Sequence, residues 1–110
     1  MWFVFPQLAG LGSSEMARRY AIANLGEARA YLAHPILGPR LAESADAMLH
    51  WTGRRSAEAI LGPVDALKFA SSMTLFEAAG GGDRYARTLD AFSAGHRDGR
   101  TLELLEKLAT

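Results

Sequence analysis

Cysteine is missing altogether from these 110 residues. That absence excludes disulfides, thiolate metal sites and cysteine nucleophiles together, and it fits a reducing cytosol. An excess of either charge is missing too, since 12 Lys plus Arg balance 12 Asp plus Glu. A zero balance gives no overall attraction for nucleic acid or for an anionic membrane, so neither is an expected partner. Only a folded patch joining Arg54 and Arg55 with Arg18, Arg19 and Lys68 would change that for nucleic acid. No apolar run is long enough to span a bilayer. The opening "MWFVFPQ" has no basic leader, and its apolar run stops at Pro6, so it does not read as a secretion signal. A soluble, cytoplasmic protein is expected.

What is present points to helix. The chain carries 20 alanines, many leucines and few β-branched residues, a mixture that favours helix over sheet. Hydrophobic residues make up 49% against 22% charged, which argues for a folded chain rather than a disordered one. Ser13 or Ser14 can cap a helix over "SEMARRYAIA", whose Met16, Ala17, Tyr20 and Ala21 share a stripe. Asn24 can cap the next helix, which must end at His34 because the residue before Pro35 is pushed out of helical geometry. Pro39 sits in the first turn of a helix with a Leu41, Ala45, Met48 and Leu49 stripe, closed by "TGRR". Ser56 caps a short helix, and Gly62-Pro63 launches "VDALKFASSMTLFEAA", with Leu67, Ala70 and Met73 expected inside beside Phe69 and Phe76. Gly80, Gly81 and Gly82 end that helix, Asp83 can cap the next, Gly95 stops it, and Thr101 opens the last. The expectation is one all-α domain, a compact bundle of about six short helices with no sheet. "WFVF" alone has strand character.

Two stretches carry candidate chemistry. In "LKFASSMT", Lys68, Ser71 and Ser72 fall at i, i+3 and i+4, on one helix face that suits a phosphate or another anion. The competing reading has these hydroxyls packing against a neighbour or bonding back to carbonyls. "GHRDGRT" gathers His96, Arg97, Asp98, Arg100 and Thr101 where the last helix begins, a place where free N–H groups can hold an anion beside Arg97. The competing account makes Asp98 or Thr101 the helix cap and gives Arg97 a carboxylate partner. His34, His50 and His96 lack metal-ligand spacing, so neither a metal nor any other cofactor is expected. Gln7 and Tyr20 bracket the loop "AGLGSS", whose amides suit a small ligand or simply turn the chain. No serine lies in a nucleophile elbow, and no paired carboxylates or Ser–His–Asp set can be inferred from spacing.

At "MWFVFPQLAGLGSS", "YAIANLGEARAYLAHPILGPRL", "LKFASSMTLFEAA" and "GHRDGRTLELL" the chain resembles the bacterial domain-of-unknown-function family 1810. The resemblance runs through essentially the whole chain and implies a small helical protein without an established activity. It also implies that "MWFVFPQ" corresponds to an internal segment of a longer pattern with helices upstream. Arg97 and Asp98 match family positions. On that resemblance the chain is expected to be N-terminally shortened, with Trp2, Phe3 and Phe5 exposed and available for self-association. The functional expectation is a non-catalytic module binding a small anionic ligand or a protein or peptide partner. Its polar groups would be Lys68, Ser71, Ser72, Arg97 and Asp98, with His34 as a further ligand contact. The alternative is a small enzyme acting on a nucleotide or phosphorylated metabolite, with His34 or His96 as acid–base.

Overall fold

A computed structural model describes residues 5–11 and 21–109. Within them lie six helices: α1 (Leu25–Ala33), α2 (Leu37–Leu49), α3 (Ala57–Leu61), α4 (Pro63–Ala78), α5 (Asp83–Ser93) and α6 (Gly99–Ala109). Their ends follow from local chemistry. The Asn24 side chain accepts the Glu27 amide at 2.8 Å, and Ser56 Oγ accepts the Ala59 amide at 3.1 Å, each satisfying a donor that the first helical turn leaves open. His34 leaves α1 in extended geometry before Pro35. Pro63 begins α4, where its missing N–H is not needed. Ala94, at φ 51°, and Gly95, at φ 78°, turn the chain out of α5 through left-handed conformations.

The bundle is organised around α4, which packs against α1, α3, α5 and α6, while α2 packs on α1 and α5. Eight of its sixteen residues are buried: Ala66, Phe69, Ser71, Ser72, Met73, Thr74, Leu75 and Phe76. Ser71 to Phe76 are buried without a break, so the second half of α4 is covered all round, as a central helix is. α2 buries Gly38, Leu41, Ala45 and Met48 on a single stripe. Phe76 lies 5.4 Å from Tyr31 and 5.9 Å from Tyr85 between ring centroids, and burial pushes both phenols above their usual range. The radius of gyration is 12.8 Å, close to the ~13 Å of a compact chain this long. Among the described residues there is no strand; an isolated parallel bridge joins Leu8 to Ile22.

Four expectations are corrected. Phe5 is buried, 4% exposed, with its ring edge-on to Phe69 at 4.8 Å; the apolar start of the chain supplies a core residue rather than a bare one. Trp2 and Phe3 lie outside the described residues, as do Ser13, Ser14, Met16 to Tyr20 and most of "WFVF". The helix drawn through Ala23 does not reach that far. Ile22 instead donates its amide to Gln7 O and accepts from the Ala9 amide, both at 2.7 Å, so its backbone groups are unavailable to a helix. Leu67 is 72% exposed. The start of α6 covers Ser71 and Thr74 on that side of α4, and Leu67 projects one turn beyond the cover. Asp83 is the first residue of α5, not its cap; Gly82, at φ 97°, precedes it without a side-chain bond.

Candidate functional site

The two stretches that carried candidate chemistry meet where α6 begins against the middle of α4. Asp98 precedes α6, and its Oδ2 accepts from Ser71 Oγ at 3.1 Å, from the Thr101 amide at 3.1 Å and from the Thr101 hydroxyl. Its own amide donates to Thr74 Oγ1 at 2.9 Å, and Thr74 donates to Ala70 O at 2.8 Å. Asp98 is therefore the helix cap and the clamp between two helices at once. Thr74 and Thr101, both about fully buried, complete a network whose donors and acceptors point at one another. Arg97, the residue before it, turns the other way: Nε bonds Glu77 Oε1 at 2.8 Å, Nη2 pairs with Glu77 Oε2, and Nη1 donates to Gly95 O at 2.7 Å. Asp90 adds a looser contact at 3.7 Å. The paired guanidinium holds the Glu77 carboxyl below its ordinary range, a two-pronged match that arginine makes and lysine cannot.

The remaining candidates are spread out. Lys68 reaches Asp65 at 3.8 Å, one turn back on α4. Ser72 is fully buried, and its hydroxyl has no hydrogen-bond partner among the described residues. His34 stands at the α1–α2 corner, where Nδ1 accepts the amides of Ile36 and Leu37, both at 3.1 Å; it closes the open end of α2. His50 stacks edge-on to Trp51 with centroids 5.4 Å apart. His96 is an exposed residue of the turn after α5. Arg100 reaches the loop candidate through Gly10 O at 3.3 Å, while Tyr20 and the serines of that loop lie outside the described residues, as do Arg18 and Arg19.

A second region escaped the motif reading. Phe5, Ser44, Ala47, Met48, Trp51 and Ile60 line an open concavity of about 260 Å³ between the end of α2 and α3. On the other side of the same loop, Leu49, Thr52, Arg87, Asp90 and Ala91 line a second, of about 480 Å³. Trp51 is 38% exposed, and the Arg55 guanidinium lies 5.5 Å from its ring centroid, within cation–π range. The sequence signal was the Trp51 between His50 and the Arg54-Arg55 pair, but nothing local tells that Phe5 and Ile60 close the groove beneath it. No metal-holding group of three or more His, Asp or Glu side chains occurs among the described residues. Nor is any helix there long and apolar enough to cross a membrane.

This chain is similar in structure to the conserved hypothetical protein Rv1873 from Mycobacterium tuberculosis, with a TM-score of 0.90 and 49% identity over 96% of this chain and 75% of that one. No curated protein matches it. Residues 1–105 match the family described as "Protein of unknown function (DUF1810)". With nearly the whole chain matched, and a solved relative of nearly the same fold at such identity, the protein belongs to the DUF1810 family.

Proposed function

We propose that this protein is a non-catalytic binding module of the cytosol, and that its ligand is a peptide segment of a protein partner taken up in the groove beside Trp51. The observation that carries the reading is the contrast between the two regions. The polar atoms of Ser71, Thr74, Asp98 and Thr101 are spent on joining α6 to α4, whereas the Phe5, Met48, Trp51 and Ile60 groove opens apolar surface to solvent. An anion brought to the first region would meet the Asp98 carboxylate at its centre. The placement of the histidines supports binding over acid–base chemistry: one caps a helix, one packs on an indole and one lies in an exposed turn.

Panning a random dodecapeptide display library on the full chain tests this. Enriched clones should carry apolar anchors, lose binding to the Trp51→Ala protein and keep it with Lys68→Ala. Clones indifferent to Trp51→Ala, or no enrichment over an empty support, would overturn the reading.

A further inference from the structure

The groove is apolar, but the loop that forms its rim is not. Residues 50–56, "HWTGRRS", are all exposed and contain His50, Arg54 and Arg55 with no acid among them. Among the described residues neither arginine forms an ion pair; Arg55 instead lies against the Trp51 ring. Asp46, the nearest acid before the loop in sequence, is engaged by Arg84 at 2.8 Å. Besides Asp46, the exposed acids on the flanking helices are Glu43 on α2 and Glu58 in the first turn of α3. The second concavity, beyond Thr52, adds Arg87, with Asp90 beside it already shared with Arg97. Apolar lining with cations at the rim is the complement of a particular partner composition, because rim charges select which peptides dock and how fast.

We infer that the partner segment is acidic: an apolar or aromatic anchor enters the groove over Phe5, Met48 and Ile60, and flanking Asp or Glu side chains pair with Arg54 and Arg55. This rests on the peptide-groove reading and adds the charge of the occupant. Arg55 is well placed for it, since a carboxylate bound there also neutralises the cation held over Trp51 without displacing the ring. The exposed position of both arginines makes the attraction sensitive to salt.

The test uses three synthetic peptides of roughly ten residues with one shared Leu/Phe anchor pattern and flanks of Glu, Gln or Lys. Each is titrated into the ¹⁵N-labelled full chain while the Trp51 indole signal and the amides of Ser44, Ala47 and Ile60 are followed. The Glu-flanked peptide should bind about tenfold more tightly than the Gln-flanked one, with the Lys-flanked peptide weakest. Raising the salt from about 50 to about 300 mM should remove most of that advantage. Charge reversal by Arg54→Glu with Arg55→Glu should invert the ranking, and an unchanged helical circular-dichroism melt verifies that the variant is folded. Equal binding of all three peptides overturns the acidic partner and leaves the peptide groove standing. No shift at Trp51 with any of them overturns both.

Discussion

Ser71 and Ser72 carry the same hydroxyl in different surroundings, and the two neighbours should respond differently to its loss. Ser71 Oγ donates to Asp98, so Ser71→Ala leaves a half-buried carboxylate one donor short, and a destabilisation of ~1–2 kcal/mol is expected in urea unfolding. Ser72 Oγ is buried without a partner among the described residues, and a buried hydroxyl without a hydrogen bond is a cost to the fold. Ser72→Ala is therefore expected to be neutral or stabilising by up to ~1 kcal/mol in the same measurement. A clear loss of stability in the Ser72→Ala protein would mean that the hydroxyl has a partner after all. Gly38 offers a sharper case of the same kind. A methyl group there would stand 2.1 Å from Leu32 O, inside contact distance of backbone that cannot rotate away. Gly38→Ala should push α1 and α2 apart and lower the melting temperature by several degrees or more, as overpacking of a tight contact does.

At the scale of elements, helix starts at Asn24, Ser56 and Pro63 are readable in the sequence, the one at Asp83 is misplaced by a residue, and the cross-braces are not readable. Asn24, Ser56 and Pro63 act on amides within their own helices, so a window of a few residues contains the whole cause. The Ser71–Asp98 bond spans 27 positions and the Arg97–Glu77 pair spans 20. No local pattern announces such partners, although a cap at Asp98 and a carboxylate partner for Arg97 were one of the two readings open for "GHRDGRT". His34 has a structural part hidden for a related reason: its Nδ1 serves the amides of the following helix across Pro35, a capping geometry that its residue type does not advertise. His34→Ala should cost about 0.5–2 kcal/mol, the usual value of a lost cap, and His34→Asn should recover part of it. Glu77 carries the pH dependence of the α4 to α6 region. Because Arg97 lowers its carboxyl in the folded state, its contribution to stability is complete above the carboxyl's unfolded value and fades as pH falls through the lowered folded one. Glu77→Gln should thus flatten the acid side of the stability profile while changing little near neutrality beyond a constant offset.

Taken as a whole, the molecule concentrates its order in α4, which four other helices cover. Amide exchange should be slowest from Phe69 to Phe76 and progressively faster toward α3, whose five residues carry one buried side chain. Comparable protection in α3 and α4 would contradict this hierarchy. The all-helical architecture was legible because alanine, leucine and well-spaced breakers repeat along the chain. The open groove was not, since it is assembled from Phe5, the end of α2 and Ile60, three places whose proximity is a property of the folded bundle alone.

Phe5 belongs to two environments at once. One side of the residue helps line the opening beside Trp51, and its ring meets Phe69, which in turn meets Phe92 edge-on at 6.0 Å. Whatever settles into that opening leans on the outermost of three aromatic side chains standing in file through the protein. The interior will sense an arriving guest directly, and ring signals from Phe92, which meets Phe69 and does not line the opening, should shift.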